Sequence, residues 1–354
     1  MLALAPNYDD AVREAVRDWG GIPIDCAINR TGMNPFLDLA NAYRLSKQLK
    51  ELAPDLVLGY FIKPVIFGTL AAWSARIPTR LAMIEGLGFV FTPGPKSFSL
   101  PRRFLRWGVM VLYRFSLART QKTLFLNPDD MQEFISRRLV SANKTLCVGG
   151  IGVDLDAWQP SPLVTLPITF LLIARLLREK GVIEYVSAAR AVKKEYPTAR
   201  FILLGGVDDN PGAVTTSEVE EWVNEGIIEW HGHVPVRAWI SQASVYVLPS
   251  YREGVPVSTQ EAMAMGRPVI TTDVPGCRET VIDGVNGFLV PPQDTEMLAD
   301  RMMRFIRNPE LVDLMGKESR RLAIEKFDVK KINQRLIEIL LREAGRDNEK
   351  IGAL

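Results

Sequence analysis

Two carboxylates eight residues apart, Glu253 and Glu261, bracket the turn Gly254-Val255-Pro256 and the helix start that follows it. This spacing directs backbone N–H groups of residues 254–259 out of a helix N-terminus. Unpaired donors and the helix dipole attract phosphate there. A carboxylate accepts two hydroxyl hydrogen bonds, which suits the vicinal diols of a ribose or a hexose. The block can therefore hold a sugar at one acid, a ribose at the other and a diphosphate between them. Ser258 or Thr259 is expected to cap the helix and Gly266 to end it. Taken alone, the two acids suit an exposed loop charge and an ordinary acid near a helix start equally well.

The elements before this block supply cations. Residues 167–174 are a continuous apolar run of buried-strand length, followed at once by Arg175 and then by Lys180-Gly181. Ligands in open α/β sheets bind at the carboxyl ends of strands. Arg175 can fork onto a phosphate there, and Lys180 can add a point charge. The plainer alternative is a solvated loop with ion pairs to Glu179. Val182 to Glu195 reads as an amphipathic helix. A second buried strand runs into Gly205-Gly206, where glycine serves close approach to a ligand or a tight turn. Residues 227–234 read as a third strand. Alternation along it would put His231 and His233, the two histidines of the chain, on one face. No third ligand is marked, so no metal is expected; contact near a nucleotide base or plain packing is the reading for this pair.

The ordered blocks Arg175-x4-Lys180-Gly181, Leu204-Gly205-Gly206, His231-Gly232-His233, the stretches 246–256 and 261–270, Gly276-Cys277-Arg278-Glu279 and the stretch 286–290 resemble the retaining glycosyltransferases of family 4. The resemblance covers the whole C-terminal half. It implies the GT-B fold: α/β, two Rossmann-like domains facing a cleft. It further implies that Arg175 and Lys180 bind the donor diphosphate and stabilise the departing charge, and that Glu253 contacts the donor sugar with help from Gly254, Val255 and Pro256. Glu261 would hold the ribose hydroxyls, and Gly205, Gly206 and His233 would line the donor site. The reaction would keep the anomeric configuration and need no metal or other cofactor, the cations replacing a metal clamp.

The N-terminal half, in the stretches 54–68, 86–92 and 125–130, resembles a bacterial subgroup. Its members add hexoses or N-acetylhexosamines, mostly from UDP-sugars, to polyprenyl-diphosphate-linked saccharides. In that setting Lys63, ahead of Pro64, is a candidate for the acceptor phosphate, or else a plain surface lysine. Glu85 and Gly86, at the end of a strand, are candidates near the acceptor, with Glu85 as a proton acceptor. Residues 96–122 hold seven Lys or Arg and no acid, interleaved with aromatic and aliphatic residues. Such a helix suits an anionic membrane surface, or else an ordinary surface helix with its apolar side in the core. The expected location is cytoplasmic, peripheral on the inner face of the cell membrane. The chain opens on what resembles the second strand of the family fold, so the N-terminal domain is expected to lack its first strand, Gly-rich loop and first helix.

The 354 residues suit two domains, with 47% hydrophobic and 24% charged residues. A net charge of +2 argues against a nucleic-acid partner. Three widely spaced cysteines, Cys26, Cys147 and Cys277, suit a reducing compartment and mark no zinc site. The expected division is an acceptor-binding domain over 1–160, a nucleotide-sugar-binding domain over 161–328, and a helix over 329–354 crossing back to the first domain. Competing readings are a catalytically impaired or partner-dependent nucleotide-sugar-binding remnant, and a GT-B epimerase, which gives no reason for a basic membrane helix. A nucleotide-dependent oxidoreductase is disfavoured because no G-x-G-x-x-G opens a helix after a strand.

Overall fold

The structure, a computed structural model, describes residues 1–6, 8–28, 34–87, 91, 100–208, 210 and 212–345. The chain forms two compact units. One holds Met1–Glu85, Leu100–Cys147 and the chain from Leu336; the other holds Val148–Arg335 together with Gly86.

The first unit contains β1 (Leu2–Ala5), α1 (Asp10–Asp18), β2 (Ile22–Asp25), α2 (Pro35–Leu52), β3 (Leu56–Tyr60), a π-helical segment Pro64–Gly68, α3 (Thr69–Ser74), β4 (Thr79–Ile84), α4 (Leu100–Leu117), β5 (Lys122–Phe125), α5 (Pro128–Ser136) and β6 (Thr145–Cys147). β3-β4-β5-β6 make a parallel four-stranded sheet, and β1 and β2 form a separate parallel pair. Ile28, Leu45, Leu49, Ala71, Ala72 and Ile77 bury together as a core cluster of this unit.

The second unit contains β7 (Thr169–Ile173), α6 (Val182–Glu195), β8 (Arg200–Leu204), α7 (Thr216–Asn224), β9 (Glu229–Trp230), α8 (Arg237–Gln242), β10 (Val245–Leu248), α9 (Val257–Ala264), β11 (Val269–Thr272), β12 (Gly287–Val290), α10 (Thr295–Arg307), α11 (Glu310–Lys326) and the start of α12 (Val329–Glu343). Its sheet runs β12-β11-β10-β7-β8-β9, and every pairing is parallel. This is the doubly wound order, in which the connections reverse direction between β7 and β10. Strands buried on both faces read as unbroken apolar runs, as Phe170-Leu171-Leu172 and Val245-Tyr246-Val247 do. Phe170 and Phe201 stack with centroids 5.1 Å apart, and the buried Tyr185 hydroxyl lies 2.9 Å from the Phe170 carbonyl.

The chain passes from the first unit to the second between Cys147 and Val148, at the head of the Gly- and Pro-rich loop. That loop belongs with the second unit because Val153 pairs with Asp328 and donates its N–H to the Phe327 carbonyl at 2.8 Å. Of α12, residues up to Arg335 count with the second unit and those from Leu336 with the first.

Candidate active site

The cations and the acids emerge from the two strands that flank the reversal of the second sheet. Arg175 and Lys180 follow β7; Ser250 and Glu253 follow β10, and the two strands pair as Val245 with Phe170 and Tyr246 with Leu171. Lys180 Nζ stands 2.5 Å from Glu253 Oε1, and both side chains are mostly buried. Ser250 Oγ donates to the same Oε1 at 2.8 Å, while the Glu253 N–H reaches the Pro275 carbonyl at 3.1 Å. The residue is thus held from three directions.

Gly181 makes this contact geometrically accessible. Its φ is +74°, and a Cβ there would lie 2.1 Å from the Pro249 carbonyl oxygen. Only glycine lets the Lys180 loop press against the end of β10. Gly205 does the same for the end of β8: φ is +147°, and a Cβ would meet the Ala174 carbonyl oxygen at 1.7 Å. Its role is close approach of neighbouring strand ends. Arg175, 60% exposed, pairs with the largely buried Asp208 at 2.7 Å, not with Glu179. Arg178 goes to Glu218 instead.

α9 begins at Val257 with Pro256 as its cap residue and no side-chain cap bond. The expectation that Ser258 or Thr259 caps it is corrected: both lie inside the first turn, because the cap position falls at Pro256, two residues before Ser258. The first intrahelical bond runs from Gln260 N–H to the Pro256 carbonyl at 3.2 Å. The N–H groups of Val257, Ser258 and Thr259 are therefore the first-turn donors that a helix cannot satisfy itself. Gly266, φ +76°, follows the last turn as expected. Glu261 is half-buried, and burial alone pushes its carboxyl up to about 7.

The strand expected over 227–234 shrinks to Glu229–Trp230, and Gly232 turns the chain with φ +66°. The alternation that would align the two histidines is lost with it. His231 stacks on Trp239, ring centroids 4.0 Å apart, and lines a hollow of about 460 Å³ with Lys193, Phe201 and Trp230. His233 instead sits beside Gly206, whose missing Cβ would lie 3.9 Å from His233 Cβ. Among the described residues no group of three His, Cys, Asp or Glu could hold a metal ion.

The acceptor candidates divide. Lys63 and Glu85 lie in the first unit and Gly86 counts with the second. Lys63 is engaged by Asp38, 2.8 Å away, with both side chains largely buried. Glu85 follows β4 half-buried, and desolvation raises its carboxyl above the ordinary range. Two site residues, Ser250 and Asp208, carried no signal of their own in the sequence. Ser250 lies three residues before Glu253 on the loop after β10, and Asp208 lies beyond β8, opposite Arg175.

Residues 167–308, most of the second unit, match the family described as Glycosyl transferases group 1, so the chain carries a glycosyltransferase domain of that group. The chain as a whole has the GT-B fold. The N,N'-diacetylbacillosaminyl-diphospho-undecaprenol alpha-1,3-N-acetylgalactosaminyltransferase of Campylobacter jejuni is 29% identical over 93% of this chain and 88% of its own. The UDP-Gal:alpha-D-GlcNAc-diphosphoundecaprenol alpha-1,3-galactosyltransferase of Escherichia coli is 23% identical over 83% of this chain and 77% of its own. The Anabaena Alr3699/HepE structure with UDP and glucose superposes with a TM-score of 0.76 at 19% identity, covering 96% of this chain and 91% of that one.

Proposed function

We propose that the chain is a retaining, metal-independent glycosyltransferase that moves a hexose or N-acetylhexosamine from a UDP-sugar to a polyprenyl-diphosphate-linked saccharide in cell-surface glycan assembly. The carrying observation is Glu253 held by Lys180 and Ser250 at the reversal point of the second sheet, beside the open first turn of α9.

The roles follow from charge. The diphosphate takes the free N–H groups of α9 together with Arg175 and Lys180. As the anomeric C–O bond breaks, negative charge grows on the departing phosphate, and preorganised cations stabilise it where water is excluded. Arg175 and Lys180 supply the charge that a metal clamp would otherwise bring. Glu253 accepts hydroxyl hydrogen bonds from the donor sugar, Glu261 accepts those of the ribose, and Gly206 with His233 lies toward the base. Both relatives named above carry undecaprenyl-diphosphate-linked saccharides in their names, which supports the same acceptor class here.

The same reading places the chain on an anionic membrane through α4. Phe104, Trp107, Val111 and Phe115 are exposed on one stripe of this helix, while Tyr113 and Leu117 are buried on the other side. The helix has no acid in its sequence. Lys96 and Phe98, and the side chain of Arg102, lie outside the described residues. Among the described residues no helix is long and apolar enough to cross a membrane.

Incubation with a panel of UDP-sugars and lipid-linked saccharide extract, with and without EDTA, tests the proposal. An α-configured product formed at equal rates in both arms is expected from an α-linked donor. Inverted configuration, or loss of product with EDTA, would contradict the mechanism.

A further inference from the structure

The first unit displays two aromatic rings on a strained turn at the carboxyl edge of its sheet. β3 ends at Tyr60, and Phe61 follows with φ +65°. A bulky L residue rarely adopts this region. Both rings face solvent, Tyr60 at 46% and Phe61 at 62% exposure, with centroids 5.1 Å apart and planes tilted by 44°. Core burial, the ordinary reason for an aromatic residue, does not account for them.

The turn is held firmly. The Phe61 carbonyl accepts the Val65 N–H at 3.0 Å, and the chain then winds as the π-helical segment, with Val65, Ile66 and Phe67 buried. The Lys63–Asp38 pair ties the same turn to α2. A Cβ on Gly59 would come 2.8 Å from the Pro64 carbonyl oxygen, so strand and segment lie in close apposition. Backbone strain persists only where its surroundings impose it, and it concentrates at functional sites, as π-helical turns do.

Tyr60 pairs with Met83 of β4, so Glu85, two residues further on, closes the neighbouring strand at the same edge. The carboxyl edge of parallel strands is where α/β units bind ligands. A pyranose ring offers C–H bonds on one face and hydroxyls around its rim. The C–H bonds suit the negative face of an aromatic ring, and the hydroxyls suit a carboxylate. A carboxylate at this edge disfavours a diphosphate or an anionic headgroup, and the nearest cation in sequence, Lys63, is already paired with Asp38.

We propose that Tyr60 and Phe61 form a stacking platform for the acceptor saccharide, with Glu85 accepting its hydroxyl hydrogen bonds. The platform rests on the saccharide acceptor of the proposed function and names the residues that read it.

The test measures dissociation constants of farnesyl-diphosphate-linked N-acetylglucosamine, its galactose counterpart, bare farnesyl diphosphate and UDP. The full chain is compared with Phe61→Gly and Phe61→Tyr. Glycine accepts the left-handed backbone at no steric cost, so Phe61→Gly is expected to melt at or above the wild-type temperature. It should nevertheless lose roughly fivefold to tenfold in affinity for the saccharide probe that the wild type prefers, the worth of one aromatic contact. Phe61→Tyr should keep that affinity, and both variants should bind bare farnesyl diphosphate as the wild type does. Undiminished saccharide affinity in Phe61→Gly overturns the platform, as does an equal loss for the bare lipid diphosphate. UDP affinity reports on the donor site separately: a chain that binds saccharide probes through Phe61 yet ignores UDP counts against the donor reading alone.

Discussion

Lys180 and Glu253 lie 73 residues apart in sequence, yet their charged atoms stand 2.5 Å apart at the reversal point of the second sheet. The pairing has a chemical meaning. In the proposed mechanism Lys180, with Ser250, holds Glu253 in place for the donor sugar before a donor arrives. Replacing Glu253 by Gln keeps the shape and removes the charge. Transfer by Glu253→Gln should fall by about 10²- to 10³-fold, the worth of one preorganised electrostatic contact at a reacting centre. UDP affinity should stay within about threefold, well under 1.4 kcal/mol, because the nucleotide does not need this acid. Steady-state kinetics with calorimetric UDP titration checks both.

Glu261 makes a pH-dependent prediction. Burial raises its carboxyl from 4.5 to about 7. Folding therefore favours the protonated form. The stability tied to this group is fully present below about 4.5, falls as pH rises, and is lost above about 7. Glu261→Gln should flatten that decline in denaturant titrations between pH 5 and pH 8. UDP affinity of the wild type should rise over the same interval, because the ionised acid is the better acceptor for ribose hydroxyls; the Gln variant should not show the rise. Parallel pH profiles in the two proteins would contradict the assignment.

Gly181→Ala should cost ~2–4 kcal/mol of stability. A Cβ at φ +74° would collide with the Pro249 carbonyl, and a backbone oxygen cannot rotate away as a side chain can. Urea denaturation measures the loss. Transfer should fall together with it, since the collision pushes the Lys180 loop off β10.

Membrane attachment is predicted to depend on the exposed stripe of α4. Trp107→Ser and Phe104→Ser together should weaken binding to vesicles containing phosphatidylserine. The change Arg102→Gln, Arg103→Gln and Arg106→Gln should weaken it by about 1 kcal/mol per charge, with the effect shrinking at high salt. Unchanged sedimentation with vesicles in both variants would refute a membrane role for α4.

The elements of the second unit set by local pattern were legible in the sequence. β7, β8 and α6 fell where apolar runs and amphipathic spacing put them, and Arg175, Lys180, Gly205 and Glu253 lie on loops that follow strands of this sheet, while Glu261 lies in α9. Part of what escaped was set by long-range contact, and part by local turns. Asp208 becomes a site residue because the sheet order brings its loop beside Arg175, which no spacing encodes, whereas Ser250 sits three residues before Glu253 on the same loop. Pro256 moved the start of α9 ahead of its expected cap. The strand carrying His231 and His233 ended after Trp230 because Gly232 turns the chain. Arg267, in the middle of a matching block, is fully buried and donates to the carbonyls of Ile240, Pro162 and Ser241, so its role is to tie loops together.

The most direct measurement is transfer of labelled sugar from a panel of UDP-sugars to lipid extracted from host membranes, comparing the chain with Glu253→Ala and using UDP affinity to show that both are folded. The account predicts label on the lipid with at least one donor, and its disappearance in Glu253→Ala with UDP binding retained. Transfer that survives the loss of Glu253, or no transfer from any donor by a wild type that binds UDP, would contradict it.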